Sequence, residues 1–208
     1  PAAIRALYGD DARISKTYGR IINDAAFERI TALLKNDVGT LGEESLVTGG
    51  ALEASLRYIE PTVINVRDNS ALMQGEIFGP VLPLLPVDGY RAAIDYINAG
   101  DKPLALYVFS DDATVRQAFM EETSSGALNF GVPVAHLTVP GLPFGGVGES
   151  GMGGYHGKFS LETFSHRKAI LEKPLSPDTL ALIYPPFTAL KRTIIKKLVA
   201  PAKKFKRQ

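Results

Sequence analysis

The chain has 208 residues, a formal net charge of +1 and no cysteine. That length suits one domain with an appendage. The missing thiols exclude disulfides, thiolate metal sites and any sulfur nucleophile within these residues. The even charge balance gives no ground for a nucleic-acid partner. No run reaches the roughly 18 apolar residues a membrane span requires, and a cysteine-free chain fits a reducing, cytoplasmic setting without requiring one.

The first residues read as the end of a helix, with Ile4, Leu7 and Tyr8 on one face and Gly9 as its stop, so the chain is expected to be cut from a longer one. Asn23 or Asp24 can cap a helix running to about Lys35, where Phe27, Ile30 and Leu34 recur at the helical period. Leu46 to Thr48 is a short strand halted by Gly49-Gly50. Arg57 to Val66 is extended, with Pro61 marking an edge or a bend. Val81 to Val87 carries Pro83 and Pro86 and is a strand of edge character. Asp88 can cap the next helix, whose stripe is Tyr90, Ala93, Ile94 and Ile97 and which Gly100 ends. Leu104 to Phe109 is continuously apolar, the pattern of a strand buried on both faces. Ser110 or Asp111 caps another helix, with Val115, Ala118 and Phe119 inward, and Ala127 to Phe130 is a short strand. Helices of this length between strands predict an α/β domain with parallel pairs.

After Phe130 the periodicity fades, and residues 131–157 are rich in Gly and Pro. Phe159 to Leu171 is expected to be a strand. Residues 191–208 hold eight Lys and Arg and no acid, a charge of +8 that leaves −7 on residues 1–190. Leu190, Ile194, Ile195 and Leu198 share a helical face there, before Pro201. Two readings stand for this tail: a solvated or docked segment, and a basic amphipathic helix lying on an anionic membrane.

Several patterns could carry chemistry. Gly146 to Gly151 matches G-x-G-x-x-G, but Pro140 and Pro143 precede it and Gly153-Gly154 follow, so it lacks the strand and helix of a dinucleotide fingerprint and reads as a tight loop. Ser150 does not sit in G-x-S-x-G. The three histidines, His136, His156 and His166, lack metal-ligand spacing. In Glu76-Ile77-Phe78-Gly79-Pro80 an acid and an aromatic lie two apart before a turn, on one face if the stretch is extended. A carboxylate can accept both hydrogen bonds of a ribose diol while an aromatic packs on a flat ring. A surface acid beside a core Phe is the other reading of that segment, and the commoner one for such a segment taken alone.

Four stretches together carry a family resemblance. Gln74-Gly75-Glu76-Ile77-Phe78-Gly79-Pro80-Val81 resembles the E-I-F-G-P-V signature of aldehyde dehydrogenases. Lys102 to Ser110 (KPLALYVFS), Leu142 to Gly153 (LPFGGVGESGMG), and Tyr155-His156-Gly157-Lys158 with Phe164-Ser165-His166-Arg167 are similar to segments of the class 3 branch. The resemblance runs in order along nearly the whole chain.

It implies an α/β fold, the aldehyde dehydrogenase catalytic-domain fold with a mostly parallel sheet, plus a C-terminal oligomerisation strand and a basic tail. The expected divisions are 1–157 for part of the catalytic domain, 158–175 for the bridging strand and 176–208 for the tail. It implies oxidation of an aldehyde to a carboxylic acid with NAD or NADP: a cysteine thiolate attacks the carbonyl, hydride passes to the nicotinamide, and a Glu activates water. By the resemblance, that cysteine lies about twenty residues before Pro1, and no catalytic residue is carried over. Glu76 matches the acid that binds the nicotinamide ribose and Phe78 the aromatic beside it. His136, Leu137, Thr138, Phe144 and His156 match the mouth of the substrate funnel. The family often has two acids before Ile-Phe-Gly-Pro, and here the first is Gly75. The expected partners are the aldehyde and a second copy in a homodimer, with membrane contact through 190–208 and no nucleic acid. A non-catalytic truncated product, serving as a binding or interaction module, is the alternative.

Overall fold

A computed structural model describes residues 1–199. It divides into two compact units, Pro1–His156 and a second beginning at Gly157.

In the first unit, α1 (Ala2–Tyr8) ends at Gly9, whose φ of 82° suits glycine. Helix α2 (Asp24–Leu41) starts at Asn23, whose side chain accepts from the Ala26 N–H. It runs six residues past the expected end at Lys35. The added turns are anchored by tertiary contact, because Asp37 is buried and bonded to a distant segment. The predicted stripe Phe27, Ile30 and Leu34 is its buried face, packed on Ile59, Ile64, Val66, Leu72 and Val81. Each such side chain contributes about 1.5–3 kcal/mol by leaving water.

Strands β1 (Leu46–Thr48), β4 (Thr62–Asn65) and β5 (Val81–Leu84) form one sheet in the order β1-β4-β5. Pro61 divides the expected 57–66 strand, leaving β3 (Tyr58–Ile59) to pair with β2 (Leu52–Glu53). Proline cannot donate to a ladder, so the break falls there. β5 carries Pro83 on an edge, as its composition predicts. Helix α3 (Gly89–Ala99) follows Asp88, whose side chain makes no capping bond, and ends at Gly100. Helix α4 (Ala113–Glu122) is capped by Asp112, which accepts from Thr114 and Val115. The cap thus falls one residue beyond the expected Ser110 or Asp111, because the Ser110 hydroxyl accepts the Asp112 N–H instead.

Strands β6 (Ala105–Val108) and β7 (Ala127–Phe130) are parallel, joined through α4. A second core joins Ile94 of α3, Val108 of β6, and Ala118 and Phe119 of α4. β6 is not buried on both faces: only Val108 is buried, and Phe109 is exposed. The reason is that β6 pairs with β7 alone. The two longer ladders, β4–β5 and β6–β7, are parallel with four residue pairs each. The antiparallel pairs β1–β4 and β2–β3 have two each.

In the second unit the strand expected over Phe159 to Leu171 is absent. Residues Gly157–Thr163 are helix α5 instead. Ion pairs from Glu162 to Lys158 (3.6 Å) and Arg167 (2.8 Å) support that turn. Short stretches such as Thr163–His166 and Ala169–Leu171 can be extended, but a strand also needs a ladder partner, and none is present among the described residues. Helix α6 (Ala189–Val199) contains the predicted Leu190, Ile194, Ile195 and Leu198. Pro201 and the rest of the tail lie outside the described residues.

Candidate functional site

The segment after β4 makes a 3-10 turn at Ala71–Met73 and then the loop to Pro80. Helix α2 holds this loop at two levels. The Asp37 carboxylate, 2% exposed, accepts the N–H groups of Ala71 (2.8 Å) and Leu72 (3.1 Å), meeting donors that the turn leaves open. Two helical turns earlier, Arg29 donates to the carbonyls of Glu76 (3.5 Å) and Ile77 (2.5 Å). At Gly79 a Cβ would lie 2.7 Å from Ile30 Cδ1, so a side chain there would require the buried Ile30 to shift.

Glu76 and Phe78 both line an open cleft of about 450 Å³ with Leu72, Met73 and Ile77. They are not on one face of an extended strand, as the sequence suggests, because Phe78 has a φ of 48°. Left-handed backbone at a bulky residue is strained. Phe78 is 78% exposed, so the core-Phe reading of this motif does not hold. Glu76 also borders a larger cleft of about 650 Å³, with Lys102, Leu104, Tyr107, Glu149 and Ser150.

Beyond Tyr107 lies a row of rings. Tyr107 stands 6.2 Å from His136, and His136 5.9 Å from Phe144. Phe144 stacks on His156 at 6.2 Å and meets Tyr155 edge-on at 5.4 Å. A backbone bridge between Phe144 and Tyr155 holds the last three together. His136 is buried, and neither of its ring nitrogens has a hydrogen-bond partner among the described residues. Of the expected funnel residues, His136, Phe144 and His156 therefore stand together. Leu137 and Thr138 lie exposed on the adjoining turn, where the Thr138 hydroxyl donates to the Ala135 carbonyl.

Strain gathers here. Three of the four described non-glycine residues with positive φ are Phe78, Val134 and His156. Such residues persist where the surroundings over-determine them, often at binding sites. The Gly146–Gly151 segment is the tight loop its flanks imply. It leads into a 3-10 turn at Gly148–Ser150, and a Cβ at Gly145 or Gly146 would collide with backbone.

Tyr107, Arg29 and Asp37 were not legible as site residues. Tyr107 lies in a recognisable strand, but nothing local says that its ring meets His136. Arg29 and Asp37 read only as the polar face of α2.

An α/β domain that brings an acid, an exposed aromatic and a row of rings around adjoining clefts is a ligand-binding architecture. The profile of the aldehyde dehydrogenase family matches residues 2–170, and the chain belongs to that family. It is 47% identical over 189 residues to the rat "aldehyde dehydrogenase, dimeric NADP-preferring", covering 90% of this chain and 40% of that protein. It is 46% identical to human "aldehyde dehydrogenase family 3 member B1", covering 89% and 38%. A bovine relative with the same name as the rat one is 45% identical and is covered over 74% of its length. The chain therefore spans about two-fifths of the rat and human proteins. Among solved structures, a substrate-bound Staphylococcus aureus AldH is similar over 95% of this chain and 42% of its own, with a TM-score of 0.77 and 38% identity. A Mycobacterium tuberculosis aldehyde dehydrogenase complexed with NAD+ is similar over 76% and 33%, with a TM-score of 0.67 and 28% identity.

Proposed function

We propose that this chain supplies the nicotinamide-ribose acid and one wall of the substrate passage of an NAD- or NADP-dependent aldehyde dehydrogenase, which oxidises an aldehyde to a carboxylic acid. The observation that carries the reading is Glu76 beside Phe78 on an open cleft, joined through Tyr107 to the ring row at His136, Phe144 and His156. The residues present fit one end of the cofactor. An exposed carboxylate can accept from a ribose diol, and an exposed ring can pack on nicotinamide. Among the described residues Gly146–Gly151 offers the pyrophosphate no α-helix N-terminus, since it holds only a 3-10 turn at Gly148–Ser150. The cofactor supplies the hydride acceptor. In this chain Glu76 orients the sugar, while the rings exclude water and hold the apolar part of the aldehyde.

With no cysteine in these residues, the thiolate and the general base belong to polypeptide outside 1–208, and the 208-residue chain alone is inactive. In the longer protein a second copy covers the exposed apolar residues after α5, giving a homodimer. The location is cytoplasmic, with contact to anionic membrane through 190–208. Vesicle co-sedimentation unchanged by deleting that tail would remove the membrane contact.

The test is reduced-nicotinamide formation from an aldehyde by two proteins: the 208-residue chain, and the rat relative carrying this chain in place of its matching part. The graft is expected to turn over and the chain to give no product even in a single turnover. Turnover by the chain alone would overturn the assignment of the thiolate to outside polypeptide. A folded graft without turnover would overturn the assignment of the pocket wall.

A further inference from the structure

Strands β6 and β7 divide their side chains between two faces. Leu106, Val108, Leu128 and Phe130 pack with α3 and α4. Alternation turns Tyr107 and its ladder partner Asn129 to the opposite face. There Tyr107 borders the cleft of about 650 Å³ that Glu76 also lines.

Two polar side chains beside Tyr107 are left over. His136, 7% exposed, lies against the Tyr107 ring, and neither of its ring nitrogens has a hydrogen-bond partner among the described residues. The amide nitrogen of Asn129, next to Tyr107 across the ladder, is also buried and without a partner among them. Orphaned polar groups weaken a fold, and two flanking one side chain call for a ligand that meets them.

Their chemistry narrows that ligand. An imidazole offers a donor and an acceptor, and an amide nitrogen offers two donors. A hydrocarbon meets none of these. A carboxylate meets the donors, but it leaves the imidazole acceptor unmet and brings its charge against a wall of rings. A hydroxyl both donates and accepts, so it can answer either side chain. The half-buried Tyr107 ring borders the cleft and also meets His136. A rotamer step of that one side chain is the motion that admits a ligand from the cleft.

We propose that His136 and Asn129 form a hydroxyl-binding subsite in the substrate passage, which selects aromatic aldehydes with a ring hydroxyl over those without one. The flat carrier suits the ring row from Tyr107 to His156. The inference rests on the reading of that row as the passage wall, and the experiment separates the two.

In the longer enzyme proposed above, kcat/KM is measured for benzaldehyde, its 3- and 4-hydroxy derivatives and the matching methoxy compounds. One hydroxy isomer is expected to exceed benzaldehyde by about tenfold, and its methoxy counterpart, which cannot donate, to lose that gain. His136→Phe and Asn129→Leu remove the polar atoms and keep most of the volume. Each is expected to reduce the hydroxyl preference, and the double variant to abolish it. Because the atoms removed are orphans, both variants are expected to melt no lower than the parent without substrate. Groups already met elsewhere in the longer enzyme would melt lower on replacement. A parent without hydroxyl preference, or a preference that both variants keep, overturns the subsite. A melting temperature lowered by several degrees in both, with the preference intact, also overturns it. Phe144→Ala without effect on kcat/KM for any of these aldehydes overturns the passage reading itself.

Discussion

The ring of Tyr107 stands 6.2 Å from that of His136, and the same tyrosine borders the cleft that Glu76 lines. One side chain on β6 therefore joins the two groups of residues that the sequence marks separately. Replacing it opens both. Tyr107→Ala is expected to cost about 2 kcal/mol of stability, the range for truncating a half-buried aromatic. Tyr155→Ala, whose ring is half exposed, is expected to cost less. Urea unfolding of the two variants checks the order, and equal losses would count against Tyr107 as the link.

Asp37 is a polar group whose burial is matched by two donors, Ala71 and Leu72 N–H. Asp37→Ala leaves the buried Leu72 N–H and the part-buried Ala71 N–H unmet, which is expected to cost about 2–3 kcal/mol. Asp37→Asn keeps one acceptor oxygen and is expected to fall between. The denaturation midpoints should follow Asp, Asn, Ala in descending order. An Ala variant as stable as the parent would mean that the turn at 71–73 does not depend on α2.

The glycines beside Phe144 differ sharply from the one beside Glu76. A Cβ at Gly145 would meet the Gly153 carbonyl, and one at Gly146 would meet that of Ser150, both rigid backbone. Gly145→Ala and Gly146→Ala are each expected to cost more than about 2 kcal/mol through forced backbone movement. Gly75→Ala meets nothing within 4 Å and is expected to be neutral or slightly stabilising, by less than about 1 kcal/mol. Thermal melts of the three variants test this, and a well-folded Gly146→Ala would refute the close approach.

Legibility followed the range of the interaction. Phe27, Ile30 and Leu34 announce their shared face because the helical period is local. Pro61 and Gly49-Gly50 mark breaks because their own backbones impose them. The last six residues of α2 were not legible, since Asp37 looks like a surface acid until a turn 34 residues away presents its N–H groups. Phe159 to Leu171 holds short stretches that suit a strand, Thr163–His166 and Ala169–Leu171, yet a strand also needs a partner, and the local ion pairs of Glu162 favour helix. In the site, Glu76 and Phe78 stand out as a motif, but the positive φ at Phe78 that takes them off one extended face carries no signal in the sequence. The pairing of Tyr107 with His136 needs β6 and the 135–138 turn side by side, and no spacing in the chain encodes that.

The Tyr18 hydroxyl donates to the Ile59 carbonyl at 2.6 Å. Burial, together with the nearby Tyr58 and Tyr8 phenols, pushes its pKa above the ordinary value of 10. Folding therefore favours the neutral phenol. Its stabilising effect is complete below pH about 10, the unfolded value, and is lost as pH rises above it. Tyr58 is shifted upward in the same way, chiefly by burial. Tyr18→Phe is expected to be about 1 kcal/mol less stable at neutral pH, through the lost hydrogen bond. It should also lose stability less steeply than the parent in alkali, with Tyr58 supplying what slope remains. Parallel slopes for parent and variant above pH about 10 would contradict this sign.

In the second unit Phe164, Ile170, Leu171 and Leu175 are each more than four-fifths exposed. Large side chains so placed lose little by staying in water singly, but a run of them gains by finding cover. The proposed homodimer supplies that cover in the longer protein, and in the 208-residue chain the same residues are expected to drive self-association. The sedimentation coefficient should rise with protein concentration, and Ile170→Lys combined with Leu171→Lys should return the chain to a concentration-independent value. The two lysines sit outside any helix or ladder of the described chain, so they should leave the α2 and β4 core intact and its urea midpoint unchanged. If the double variant still associates, the contact lies elsewhere, and the segment after α5 is not the surface that a second copy covers.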